Sequence, residues 1–110
     1  MKMYEHFLTV GLFDRVTERQ EIRTDKAKNF ISETLINDFD ICAFTMIDAT
    51  GVYKMQSTGT IIKEPSIRIE IATEEVLNRE TVYEIIKTLK NGLNQEHIMY
   101  KMVESDIDFI

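Results

Sequence analysis

Ile67-Arg68-Ile69-Glu70-Ile71 decides the fold class. Isoleucine recurs at every second position and a charge fills each gap, the period of a strand with one dry and one wet side. Toward the N-terminus, Pro65 lacks an amide hydrogen and marks a bend or an edge position. Thr60-Ile61-Ile62 starts the same return strand. Ser57-Thr58-Gly59 precedes it as a hairpin turn, with glycine supplying the positive φ such turns need. Val52 to Gln56 is extended on the far side of that turn, and Ile41 to Ile47 is rich in β-formers. Gly51 between them reads as a full turn, a bulge or a bend. Residues 40 to 72 therefore form a long, bent two-stranded ribbon.

Helical spacing flanks the ribbon on both sides. Ala27, Phe30, Ile31, Thr34 and Leu35 make one stripe, with Thr24 or Asp25 as the expected cap and an end near Asn37 to Phe39. Val82, Ile85, Ile86, Leu89 and Leu93 make a second, with Asn78 as the expected cap and Gly92 as the expected stop. Phe7 to Phe13 and Glu96 to Val103 alternate as the first and the final main strand, and the tail from Glu104 alternates again. Asp14 to Arg23 is polar, without a period, and reads as a loop.

The order strand, helix, strand, strand, helix, strand predicts an α+β fold of the ferredoxin-like, split βαβ type. Right-handed crossovers place both helices on one face of an antiparallel sheet. Leu8, Val10, Leu12, Ile98, Tyr100 and Met102 join the isoleucines beneath the helices. Phe7, Thr9, Arg68, Glu70, His97, Met99 and Lys101 line the opposite, uncovered face. Cys42, Phe44 and Met46 are expected to join them, unless a one-residue register change at Gly51 substitutes Ala43, Thr45 and Ile47. A partly apolar, uncovered face marks an interaction surface, and a second copy is the simplest occupant. The expected interface set is thus Phe7, Phe44, Met46, Arg68, His97, Met99 and Lys101, in a homodimer.

Composition narrows the function classes. The 110 residues favour one domain, large enough to bury a core without disulfides or metal. A net charge of -6 disfavours direct binding to a phosphate backbone. No run approaches ~18 apolar residues, so no membrane helix is expected. The start Met1-Lys2-Met3-Tyr4-Glu5-His6 has no apolar leader region. The single cysteine, Cys42, reads as a small buried hydrophobe, and a reducing cytoplasm fits it.

Three short stretches carry a family resemblance: Gly51-Val52-Tyr53, Lys63-Glu64-Pro65-Ser66 and Asn94-Gln95-Glu96-His97-Ile98. Together they resemble an uncharacterised family of short bacterial proteins known only as a domain of unknown function. The departure from its pattern is Tyr53 where tryptophan is expected. The resemblance implies the fold and supplies no activity. The element order also resembles the dimeric α+β barrels, some of which are small oxygenases, a likeness of fold alone.

Residue chemistry is sparse. His6 and His97 lack partners at ligand spacing, so no metal site is expected, nor any cofactor. There is no phosphate-cradling glycine loop and no nucleophile elbow. His97, as a general base near Tyr53 or Glu70, is the one catalytic arrangement conceivable on the open face. Three functions follow: a non-enzymatic, homodimeric interaction module; a small cofactor-light enzyme using His97, Tyr53, Tyr100 and Glu70; and an acidic mimic of nucleic-acid charge, of phage or other mobile origin. The first is the leading expectation. A pocket holding His97 beside a carboxylate would raise the second, and one contiguous acidic face the third.

Overall fold

The computed structural model describes residues 1–110. Strand β1 spans Lys2–Gly11, helix α1 Thr24–Glu33, β2 Thr45–Lys54, β3 Ile61–Thr73, helix α2 Arg79–Leu93 and β4 Met99–Asp106. The four strands form one antiparallel sheet in the order β2-β3-β1-β4, the arrangement expected of a split βαβ fold. No helix is long and apolar enough to cross a membrane.

Register explains the burial. Leu8 lies opposite Ile69 and Val10 opposite Ile67, so the dry sides of β1 and β3 coincide. Ile31 and Leu35 from the first helical stretch, and Ile85, Leu89 and Leu93 from α2, close over them in one core. Each such side chain, fully withdrawn from water, contributes about 1.5–3 kcal/mol before entropy is counted. Both helices therefore sit on one side of the sheet, and the other side carries no element of the chain.

Several local expectations change. β2 runs straight through Gly51, which pairs in regular register with Glu64 and is no turn. Met46 lies opposite Ile69, and both Met46 and Phe44 pack against the core; Thr45 and Ile47 take the uncovered side, opposite Glu70 and Arg68. The expectation that placed Phe44 and Met46 on the uncovered side is corrected. Ile41 to Phe44 lies outside β2, after Asp40 in a left-handed conformation (φ 54°), and Cys42 is exposed rather than buried. Pro65 sits inside β3, where a missing N–H does little harm: the pairing with β1 ends one residue away, at Gly11 and Ser66.

The helix ends differ in the same instructive way. Asn78 caps α2 as expected, its Oδ1 accepting from the Glu80 amide at 2.7 Å. Neither Thr24 nor Asp25 caps α1: Arg23 holds that position without a side-chain bond, and Thr24 Oγ1 instead accepts from Gln20 Nε2. α1 widens into a single π-helical turn at Thr34–Asp38. Gly92 does not end α2; Asn94 does, with φ at 48°. Gly92 is needed because Phe30 of α1 lies against it, where a Cβ would meet the ring at 2.0 Å. The hairpin turn is as expected, with Gly59 at φ 72° and Met55 donating to the Thr60 carbonyl.

Candidate functional site

The uncovered sheet side can be written row by row. One row runs Thr45, Glu70, Phe7, Lys101, and the next Ile47, Arg68, Thr9, Met99. Arg68 and Lys101 both lie on the Phe7 ring, at 4.6 and 4.9 Å from its centre. A ring face attracts a cation, so Phe7 holds two like charges together that water would otherwise separate. Glu70 reaches Arg68 at 3.3 Å. Ile47, Met99 and Val103 stand exposed around this group. Of the expected surface residues, Phe7, Arg68, Met99 and Lys101 are thus on the uncovered side.

At one end of that side lies a half-open groove of about 550 Å3. Its walls come from three places: the turn after β1 (Phe13, Asp14, Arg15), the β2–β3 ribbon (Tyr53, Met55, Ile62, Glu64) and the link into β4 (Gln95, Glu96, His97). The alternation of each strand carries Tyr53, Ile62 and Glu64 onto the uncovered side, in phase with Ile47 and Arg68. The structure therefore does bring His97 and Tyr53 into one hollow. Glu70 does not belong to it. Six residues further along β3, about 20 Å at strand rise, it lines a second, shallower hollow with Glu5, Phe44 and Phe109.

Glu64 takes the place sequence reasoning gave to Glu70. Its Oε2 accepts from the Phe13 amide at 2.8 Å, and no lysine or arginine pairs with it. Gly11 makes room for it, since a Cβ there would meet the carboxylate at 2.5 Å. A glycine inside an alternating strand was the signal that something approaches closely. Gln95, only 7% exposed, donates from Nε2 to the carbonyls of Phe13 and Leu93. No donor of the chain reaches its carbonyl oxygen, and the residue lines the groove. Asn94 donates to Asp14 Oδ2 at 2.7 Å and, with the Val16 and Thr17 amides, lowers the pKa of that carboxyl.

The groove is strongly acidic: Asp14, Glu18, Glu64 and Glu96 face a single guanidinium, Arg15. No three His, Cys, Asp or Glu side chains converge at metal-binding geometry.

His6 and Tyr100 stand apart from the groove, beneath α2. Thr73 donates its hydroxyl hydrogen to the Glu75 carbonyl at 2.6 Å, so its oxygen must accept from His6 Nε2 at 3.1 Å. Nδ1 then accepts from the Tyr100 hydroxyl at 2.7 Å. Burial lowers the His6 pKa and raises that of Tyr100, so both stay neutral in this chain of bonds.

Comparison with solved structures returns the same fold. A phage SAM lyase in complex with S-methyl-5'-thioadenosine is 23% identical, with a TM-score of 0.65, over 93% of this chain and 81% of that one. GlnK from B. subtilis in its ATP complex is 12% identical (TM-score 0.58, 94% and 82% covered). CutA from Synechococcus elongatus PCC7942 is 10% identical (TM-score 0.58, 94% and 77% covered). At these identities the likeness is one of fold. No curated protein sequence matches the chain. Residues 7–109 match the model of the family described as protein of unknown function (DUF3574), and the chain belongs to that family.

Proposed function

We propose that the chain is a single small-molecule domain whose groove takes a positively charged adenosine compound of the S-adenosylmethionine class. The observation that carries this reading is the groove's make-up: aromatic rings of Tyr53 and Phe13 beside four carboxylates, with an unpartnered amide oxygen on Gln95. Such a volume falls in the usual range of small-molecule sites, about 300–1,000 Å3. Aromatic faces and carboxylates attract a sulfonium or ammonium centre. The Gln95 oxygen suits an exocyclic amine. Two of the structurally similar proteins hold adenosine compounds, one S-methyl-5'-thioadenosine and the other ATP. Four carboxylates facing one guanidinium repel a triphosphate and favour the sulfonium. Calorimetric titration with S-adenosylmethionine tests the reading. Micromolar binding is expected, weakened at least tenfold by Glu64→Gln and by S-methyl-5'-thioadenosine in place of the sulfonium. An absence of heat at millimolar ligand removes it. Chromatography of the same mixture for released thioether separates an enzyme from a binding domain.

A second reading, a non-enzymatic homodimeric module, is favoured by the apolar residues Ile47, Met99 and Val103 on the uncovered side. An acidic decoy gains nothing from the same surface, where Arg68 and Lys101 sit at the centre. The exposed, unpaired Cys42 suits the reducing cytoplasm that we propose for either reading.

A further inference from the structure

We infer that the groove is half of a composite site, completed when the uncovered sheet side of another copy of this chain closes over it; this rests on the small-molecule reading above. The groove is not enclosed by its own chain. Tyr53, Ile62 and Glu64 continue the alternation that puts Ile47, Arg68 and Glu70 on the uncovered side. Whatever covers that side also roofs the groove.

Three features identify a second copy as the cover. The first is area. Four strands about 4.8 Å apart, each with about nine residues at about 3.3 Å, give a face of roughly 600 Å2 before side-chain relief is counted. Stable pairs of proteins bury about 800 Å2 on each partner.

The second is charge. Arg68 and Lys101 gather at the centre of the face, held by Phe7. The groove at its end presents Asp14, Glu18, Glu64 and Glu96. With the two-fold axis between them, the basic centre of one copy lies on the acidic end of the other, and the reverse.

The third is the ribbon. Beyond the last β1 pair, Gly11 with Ser66, residues 51 to 64 form an arm of only two strands. Tyr53 and Met55 are exposed along its uncovered side, and Val52 and Ile61 along the opposite side. A two-stranded arm gains little stability alone, and exposed apolar residues along it call for a surface to lie against. The arm overhangs its own sheet, so that surface belongs to a neighbour.

The test pairs solution mass with exposure of the groove. Light scattering of the wild-type chain at 100 µM should give at least twice the 12.9 kDa of one chain. Met99→Asp with Val103→Asp should return it to one chain, with an unchanged circular dichroism spectrum. Neither residue lines the groove. Hydrogen exchange of the backbone at residues 13–18 and 94–98 should slow at least tenfold as the wild-type concentration rises from 1 to 100 µM. A monomer at 100 µM overturns the inference, and so does an assembly in which those amides exchange as they do in the monomer. If the double variant fails to fold, the concentration series on the wild type decides alone. S-adenosylmethionine affinity is then read on both forms. Equal affinity in the monomeric variant and the assembly overturns the composite site and keeps the ligand reading. Protection of the groove without any binding keeps the shared surface and removes the ligand reading.

Discussion

Replacing Gly92 with alanine should weaken the protein, although alanine is the better helix former. Gly92 lies within α2, where alanine gains about 1 kcal/mol over glycine. The added Cβ would stand 2.0, 2.4 and 2.8 Å from three carbons of the Phe30 ring. Carbon atoms rest about 3.5–4.0 Å apart, so the ring would have to retreat by roughly 1.5 Å. Phe30 packs against the core, and overpacking of that kind costs about 1–3 kcal/mol. With three ring atoms in conflict the upper part of that range applies, which leaves a net loss of about 1–2 kcal/mol. In thermal unfolding this is roughly 4–8 °C. The deciding measurement is a double-mutant cycle by urea unfolding. With Phe30→Ala already in place the ring is gone, and Gly92→Ala should then stabilise by about 0.5–1 kcal/mol. A loss of similar size in both backgrounds would mean that Gly92 is required for something other than the approach of α1.

Two further outcomes follow from the site and its surroundings. The unfolded chain takes a proton on His6 near pH 6.5, while the folded chain resists it because burial lowers that pKa. The contribution of His6 is therefore complete above pH 6.5 and is lost as pH falls from there through the folded value. The urea midpoint should drop between pH 7.5 and 5.5, and His6→Gln should flatten that drop. Gly11→Ala should leave stability nearly unchanged. The smaller entropy of the unfolded chain, about 0.4–1 kcal/mol, offsets the Glu64 to Phe13 amide bond it breaks, about 0.5–1.5 kcal/mol. Binding of S-adenosylmethionine should fall with it, because the carboxylate is pushed out of place; unchanged affinity would remove Glu64 from the site.

Legibility in the sequence followed the range of the interaction. Alternation at Ile67, Ile69 and Ile71 and the stripe from Val82 to Leu93 are local, and they yielded the element order and the buried side of β3. The Asn78 cap is local too, and it was found. Gly92 as a helix stop was a sound local reading that a distant ring overrules. Gly51 looked like a break because glycine usually is one, yet pairing with Glu64 carries the strand through. The side that Phe44 and Met46 take is fixed instead by the pairing of Thr45 with Glu70 and Met46 with Ile69, which no local pattern shows. Cys42 lay in an apolar run whose strand begins three residues later. The groove is half visible: the sequence gives His97 and Tyr53 a role, whereas Glu64 and Gln95 carry only the family resemblance. Their meaning depends on Gly11 and Phe13, some fifty and eighty residues away.

The point where β1 stops pairing, beside Pro65, divides the groove into unequal walls. Gln95 is tied to the end of α2 by its amide, which donates to the Lys90 carbonyl, and its side chain donates in turn to the Phe13 carbonyl. Tyr53 and Ile62 ride on a ribbon with no third strand, and such ribbons twist more freely than sheets. The cleft thus works like a vice with one fixed jaw and one sprung jaw. For the ligand proposed above, the coiling of the hairpin then sets the width of the opening it must pass.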